Sequence, residues 1–127
     1  MADDSSYAIE VTVRPEYLED QSDPAQDRYL FAYYITIRNV GSVGAKLISR
    51  HWVITDGHMK VEEVRGAGVV GEQPHLDPGQ SFEYNSGCAL ATPVGTMHGS
   101  YQMLADDGTH FEAEIASFTL SIPRTLH

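Results

Sequence analysis

The feature that most limits the fold is a two-residue alternation of apolar and polar side chains, which recurs through most of the chain. It is clearest in residues 29–40, where Tyr33, Ile35 and Ile37 fall on one face and Thr36 on the other. Successive side chains of a β-strand point to opposite faces, whereas an α-helix would need a period of 3.6. The pattern therefore predicts strands, and no segment is a convincing helix.

Seven segments carry this pattern, and turn signals separate them. The predicted strands are residues 9–14, 29–40, 47–55, 59–65, 81–86, 96–104 and 110–122. Asp56-Gly57 is a two-residue hairpin signal and Asp107-Gly108 marks a second tight hairpin, because these residue types tolerate positive φ. We predict an all-β fold, a seven-stranded antiparallel two-sheet sandwich of the immunoglobulin or fibronectin type III kind, with Trp52 between the sheets.

The length and the single cysteine fit one intracellular domain. We expect residues 1–127 to form a single domain in which residues 1–6 are a mobile tail. No apolar run approaches the roughly 20 residues that cross a bilayer, and the acidic start lacks the apolar centre of a secretory signal. Cys88 is the only cysteine, so an internal disulfide is excluded. We expect a cytoplasmic protein that does not bind membranes.

Acidic residues dominate the charge. The chain has 18 acidic and 8 basic residues, a formal net charge of −10, and eight of the acids but one base lie in residues 1–27. Such a chain is repelled by phosphate backbones, and no basic patch offsets the repulsion. Nucleic acid is therefore excluded as a direct partner, and the acidic first segment is typical of a solvated tail and loop.

A glycine run in the middle of the chain resembles a dinucleotide-binding fingerprint. Residues 66–71 read G-x-G-x-x-G, which in such domains opens a helix that holds a pyrophosphate. Pro74 and Pro78 follow closely, and proline lacks the backbone donor that a helix needs. We predict extended chain after Gly71, so this run does not open a Rossmann crossover.

Three interpretations of the glycine run remain open. The backbone N–H groups of Gly66, Gly68 and Gly71 could form a concave site for a phosphate, with positive charge from Arg65 and Arg50. The glycines could instead allow a long crossover between the sheets, with positive φ where side chains would clash. In the third interpretation the loop contacts another protein.

The remaining candidate chemistry is sparse. The chain has no G-x-S-x-G elbow, and Cys88 has no basic neighbour in the sequence to activate it. No histidines show metal-site spacing, although His58 with Asp56 and His110 with Asp107 could form a weak transition-metal site if two hairpin tips converge. We therefore expect no enzyme, no catalytic residue, no cofactor and no metal.

Five ordered segments resemble the ApaG family, which is also called CorD in bacteria. They are residues 49–56 (SRHWVITD), 63–74 (EVRGAGVVGEQP), 76–79 (LDPG), 82–87 (FEYNSG) and 92–103 (TPVGTMHGSYQM). The resemblance spans roughly residues 7 to 124. It implies a fibronectin type III-like sandwich, a link of the bacterial members to cobalt tolerance and magnesium efflux, and no established catalytic mechanism. The same domain is appended to F-box substrate receptors and to a polymerase-interacting protein, where it resembles a partner-binding module.

These observations together predict a non-enzymatic interaction domain that docks a protein partner and is a monomer or a weak homodimer. The predicted binding loop comprises Arg65, Gly66, Gly68, Gly71, Gln73 and Pro74. Arg50 and His51 are supporting candidates because they are polar residues in the strand of Trp52, and at most one of them can face the core. Phosphate or nucleotide binding through residues 66–71 is the alternative.

Overall fold

The computed structural model describes residues 6–123 as eight β-strands and two single-turn 3-10 helices. The strands are β1 (Ile9–Tyr17), β2 (Tyr29–Asn39), β3 (Ala45–Asp56), β4 (Val61–Ala67), β5 (His75–Leu76), β6 (Ser81–Leu90), β7 (Val94–Ala105) and β8 (His110–Ser121). The 3-10 turns are Glu19–Gln21 and Pro24–Gln26. The predicted all-β fold is confirmed. The strand count is one higher than predicted, because β5 is too short to show an alternating pattern.

The strands form two antiparallel sheets. One has the order β1-β2-β6, and the other has the order β4-β3-β7-β8 with β5 beside the start of β3. In the second sheet Ala45 of β3 lies opposite Ala105 of β7, and Asp56 lies opposite Gly95. Since β4 belongs to one sheet and β6 to the other, the long segment between them carries the chain across the sandwich.

The core lies between the sheets, and the alternation identified its residues. Phe31, Tyr33, Ile35 and Ile37 of β2 are all buried. Trp52 is 3% exposed and meets Tyr101 edge-on at a ring-centroid distance of 6.4 Å. Each large apolar side chain buried in this way stabilises the fold by roughly 1.5–3 kcal/mol. The predicted position of Trp52 between the sheets is confirmed.

The first hairpin turn is longer than predicted. The Asp56 amide donates to the Lys60 carbonyl at 3.0 Å, so the loop holds three residues, and Met59 has a φ of 65°. The Asp56 carboxylate accepts bonds from the amides of His58 at 2.8 Å and Lys60 at 2.9 Å. These bonds stabilise the longer loop and lower the pKa of Asp56. The two-residue turn predicted at Asp56-Gly57 is therefore wrong.

The chain after the glycine run is extended, as predicted. Residues 72–80 contain the short strand β5 and turns, but no helix. Between residues 6 and 123 no helix is long and apolar enough to cross a membrane. Residues 1–5 of the predicted tail lie outside the described residues, whereas the carbonyl of Ser6 accepts bonds from the amides of Ser42 and Val43 at 3.2 Å each.

The two long sides of the sandwich differ. On one side the edge strands β1 and β8 are in contact. On the other side β4 and β6 leave a groove of about 390 Å³ between the sheets. We call this the β4–β6 groove; it is lined by Tyr33, Arg50, Trp52, Glu62, Val64 and Cys88, among others.

Candidate functional site

The second half of the glycine run is a tight turn. The amide of Val69 donates to the carbonyl of Glu72 at 2.8 Å, and the amide of Glu72 donates back at 2.9 Å. The two residues between them, Val70 and Gly71, have φ values of 42° and 82°. Two consecutive positive φ angles define a type I′ turn, in which glycine is favoured. Gly71 is thus explained by backbone conformation.

Gly68 is constrained by its φ and by its neighbour. Its φ is 60°, and a Cβ atom there would lie 2.2 Å from the carbonyl oxygen of Glu72. Its amide donates to the carbonyl of Ile48 in β3 at 2.8 Å, and the Gln73 side chain donates to the same oxygen at 2.9 Å. The carbonyl of Pro74 accepts from Leu47 at 2.9 Å. The loop is therefore fixed to β3 at several points.

Arg50 holds the first half of the run. Its Nη1 donates to the carbonyl oxygens of Ala67 at 3.1 Å and Gly68 at 2.9 Å. A Cβ atom on Gly66 would lie 2.8 Å from Cζ, Nη1 and Nη2 of Arg50 alike. Equal distances to three atoms mean that the guanidinium lies flat over the Gly66 backbone. This glycine is required for close approach.

The polarity of the loop is opposite to that of an anion site. The amides of Gly68, Val69 and Glu72 are already bonded to backbone carbonyls. The groups that the loop presents to Arg50 are carbonyl oxygens, which repel anions. The geometry therefore gives little support to the phosphate alternative, and it favours the interpretation of the run as a crossover.

The two arginines of the predicted site do not converge. Arg50 lies opposite Gly66, and Arg65 lies opposite His51, in the β3–β4 register. Since neighbouring residues of a strand point to opposite faces, Arg50 faces the groove with Trp52, while Arg65 and His51 are on the outer face. Nε2 of His51 is 3.2 Å from Oε1 of Glu63 on that face. The expectation that Arg65 and Arg50 act together is wrong, because their side chains lie on opposite faces of the sheet. The sequence alone could not show this, since the faces depend on the β3–β4 register.

The β4–β6 groove combines aromatic walls with charges at its two ends. Tyr33 and Trp52 pack at a ring-centroid distance of 5.4 Å beside it. Arg50 lies opposite Gly66 near the end of β4, and Glu62 lies opposite Ile54 near its start. The groove therefore has a positive end and a negative end. Sequence reasoning singled out Arg50 but missed Glu62 and Val64, because nothing in their local pattern shows that β4 borders a groove.

Burial raises the pKa of the Cys88 thiol and of two core tyrosines, which favours their protonated forms. Burial is the main cause that raises the pKa of the Cys88 thiol to about 11, and the charge of Glu62 adds to it. Burial also raises the pKa of Tyr84 to about 12 and that of Tyr101, and their hydroxyl oxygens are 2.5 Å apart. A protonated thiol is a poor nucleophile. The Cys88 thiol of the groove is therefore not activated as a nucleophile.

Exposed apolar side chains concentrate on β4 and the turns at its ends. Of the six large apolar residues exposed within residues 6–123, four lie in residues 59–70, namely Met59, Val61, Val64 and Val70. In the same part of the chain β4 pairs with β3 alone. β4 thus presents a free backbone edge with one exposed valine on each face, Val64 toward the groove and Val61 on the outer face.

His58 and His110 do not converge on a common site. The hairpin with His58 lies at the Gly95 end of the β3–β7 pair, and the hairpin with His110 lies at its Ala45 end. Eleven strand residues separate these ends, roughly 35 Å. The hypothesis that these tips converge is therefore wrong.

A different cluster forms at the exposed surface around β5. Nε2 of His75 is 2.8 Å from Oδ1 of Asp106, and Nδ1 is 3.8 Å from Oδ1 of Asp77. All three side chains are exposed, and each carboxylate sits beside a different ring nitrogen. Sequence spacing could not reveal this group, because it depends on β5 lying beside the β7–β8 turn.

Two face-to-face antiparallel sheets with an open strand edge define a small β-sandwich domain. The profile of the ApaG domain matches residues 19–105, which is more than half of the chain. The chain therefore belongs to the ApaG family, as the resemblance predicted.

Relatives of known sequence and structure agree with this assignment. The chain is 65% identical to Protein ApaG of Thiobacillus denitrificans and 61% identical to that of Dechloromonas aromatica, over 127 residues and the full length of each. It is also similar to the crystal structure of the putative ApaA protein from Bordetella pertussis. That comparison has a TM-score of 0.91 and 55% identity, and it covers 94% of this chain and 97% of the other.

Proposed function

We propose that this domain is a non-enzymatic, cytoplasmic docking module that binds an extended segment of a protein partner along β4. The observation that carries the proposal is the coincidence of exposed apolar side chains with a free strand edge. Val61 and Val64 are the exposed apolar side chains of β4 itself, and Met59 and Val70 lie in the turns at its two ends. An exposed strand edge is a template for another strand, and β4 contains no proline, although Glu62, Glu63 and Arg65 place charges along it.

The geometry of β4 suits strand addition. Main-chain hydrogen bonds to the edge would supply affinity, and pockets for alternate side chains would supply specificity. Val64 faces the groove beside Trp52, so an added strand would place alternate side chains over the aromatic wall. A partner side chain there would be shielded from water. The domain's net charge of −10 favours a partner segment that carries basic residues.

Family membership supports a physiological role for this docking. We propose that the partner connects the domain to cobalt tolerance and magnesium efflux, the processes implied by the ApaG resemblance. In this proposal the domain recruits or inhibits a partner and does not itself transport or sequester an ion. The protonated Cys88 thiol in the groove is consistent with binding without catalysis.

Site-specific photocrosslinking in cells tests the docking surface. A photoreactive residue placed at Val64 should capture a reproducible protein partner that is not a second copy of this chain. The same residue at Val94, an exposed valine on β7, is the matched control and should not capture it. Capture of the same proteins at both positions, or of none at Val64, would contradict the proposal.

A charged variant connects the surface to physiology. Val64→Lys should weaken partner capture at least tenfold, because a charge would then lie beside Trp52 in the groove. Cells that carry Val64→Lys should tolerate cobalt as poorly as cells that lack the protein, and cells with Val94→Lys should tolerate it normally. The unfolding temperature of each purified variant shows that the fold is intact. Normal cobalt tolerance in the Val64→Lys strain would separate docking from the proposed physiology.

A further inference from the structure

We propose that, in the free protein, the edge of β4 pairs with β4 of a second copy in one register, with Val64 at the two-fold axis and Glu63 opposite Arg65 of the second copy. This inference rests on the proposed function only in that both need an open β4 edge. It adds a defined occupant, a defined register and a competition between self-pairing and partner docking.

The direction of the backbone groups of β4 is set at both of its ends. Before the strand, the carbonyl of Lys60 accepts from Asp56 of β3; after it, the amide of Gly68 donates to Ile48 of β3. Backbone groups of alternate residues point to alternate sides of an antiparallel strand. Even-numbered residues from 60 to 68 therefore bond to β3. The amides and carbonyls of Val61, Glu63 and Arg65 point away from the sheet, where a second strand would bond.

Symmetry limits how two β4 strands can pair. A two-fold axis perpendicular to the sheet extends both sheets into one and keeps the groove faces on the same side. Outward-pointing residues must then lie opposite outward-pointing residues. Three registers centred on the strand satisfy this condition, with the axis at Glu63, at Val64 or at Arg65.

Charge selects one of the three registers. An axis at Glu63 places two carboxylates opposite each other, and an axis at Arg65 does the same for two guanidinium groups. Like charges directly opposite on a strand pair are destabilising. An axis at Val64 instead places Glu63 opposite Arg65 of the second copy twice over, and it places the two Val64 side chains together. This register alone joins opposite charges and covers an exposed valine.

The self-pairing is expected to be weak and reversible. A pair of seven-residue strands buries less surface than a stable interface of about 1,600 Å². Each copy also carries a net charge of −10, which opposes association. Weak pairing suits an edge that has to be released to a partner, because a partner strand and a second copy would compete for the same backbone groups.

Charge-swap variants test the register by sedimentation velocity, with protein from about 10 µM to about 1 mM, the range in which weak interfaces associate. The native protein should show a concentration-dependent dimer. Glu63→Arg and Arg65→Glu should each weaken the dimer at least tenfold, because each places like charges opposite each other. The double variant Glu63→Arg/Arg65→Glu should restore it to within about threefold.

Glu112→Arg, which reverses the charge of an exposed carboxylate on β8, is the matched control and should leave the dimer in place. A native protein that stays monomeric throughout this range would overturn the inference. So would single variants that dimerise normally, or a double variant that stays monomeric while folded. If the dimer is absent but crosslinking at Val64 still captures a partner, the inference fails and the proposed function stands. If the dimer forms and no partner is captured, the proposed function fails alone.

Discussion

The two long sides of the sandwich are built in different ways. On the closed side β1 and β8 meet, Tyr7 packs against Phe111 at a ring-centroid distance of 5.5 Å, and its hydroxyl donates to Asp107 at 2.5 Å. Pro15 lies in the edge strand β1, where it removes a backbone donor. On the open side β4 carries exposed valines and borders a groove.

The two sides differ in how their edge strands are protected. Protection of an edge by proline, by aromatic contacts or by a covering segment prevents unwanted strand pairing. On the open side β4 contains no proline, and its exposed residues include Val61 and Val64 together with the charged Glu62, Glu63 and Arg65. This contrast is the structural basis of the docking that we propose for β4.

The largest expected effect is at Asn39, the last residue of the central strand β2, which lies opposite Ile9 of β1. Its buried side chain donates to the carbonyls of Val43 at 3.0 Å and Leu76 at 2.9 Å, and it accepts from Gly41 at 2.9 Å. Asn39→Ala would leave these groups without partners and should lower the free energy of unfolding by about 3–4 kcal/mol. Urea denaturation measures this. Asn85→Ala, on an exposed position of β6, is the control and should change stability by less than about 0.5 kcal/mol. Equal losses in the two variants would show that the buried hydrogen bonds of Asn39 add no stability.

An intermediate effect is expected in the glycine loop, which lies on the open side but is firmly fixed. Gly71→Ala should cost about 1 kcal/mol, because its φ is positive but nothing lies within 4 Å of the added carbon. Gly68→Ala should cost about 2–3 kcal/mol, because the added carbon also collides with the Glu72 carbonyl. Thermal and urea unfolding of the pair give the difference. Equal costs for the two variants would show that the loop shifts to relieve the collision at Gly68.

The smallest effect at neutral pH is expected from the ionisation of Cys88 in the groove, because it changes stability only in alkaline solution. Its pKa of about 11 in the folded state lies above the ordinary value of 9.0, so the unfolded chain loses this proton first as the pH rises. The thiol therefore has no effect below about pH 9, and the free energy of unfolding falls between about pH 9 and 11. Unfolding curves of the native protein and Cys88→Ala at pH 8 and 10.5 isolate this contribution, since other titrating groups are common to both.

The raised pKa of Cys88 also predicts how slowly its thiol reacts with an alkylating reagent. Two pKa units correspond to about 100-fold less thiolate, so iodoacetamide should alkylate Cys88 about 100-fold more slowly at pH 8 than it alkylates a free thiol. The rate should rise about tenfold per pH unit up to pH 10. A rate equal to that of a free thiol would mean that the groove is more open to solvent than the structure indicates.

Much of the fold was predictable, because burial on one face of a strand imposes a period of two on the sequence. The predicted start of β2 at residue 29 and the burial of Ile35, Ile37 and Trp52 follow directly from that period. The short strand β5 was not predictable, since two residues cannot show a period. The loop at Asp56 was misjudged because the carboxylate bonds that lengthen it are decided in three dimensions.

The site was less predictable than the fold. The glycines were identified from the sequence, but the reason for each one was not. Gly71 allows the positive φ of a turn, Gly68 allows both a positive φ and the close approach of the Glu72 carbonyl, and Gly66 allows the close approach of the Arg50 guanidinium. The strand next to them, with Val64 and Glu62 along a groove, gave no local signal. Its importance depends on which edge of which sheet it occupies, and topology of that kind is set by contacts far apart in the chain.

The guanidinium of Arg50 is shared between two parts of the molecule. One of its nitrogen atoms holds the carbonyls of Ala67 and Gly68, while the same side chain forms an end of the groove. An outward movement of the Arg50 side chain would remove its hydrogen bonds to the Ala67 and Gly68 carbonyls. The groove therefore cannot widen at that end without loosening the glycine loop. This end of the groove is therefore preorganised before any ligand binds.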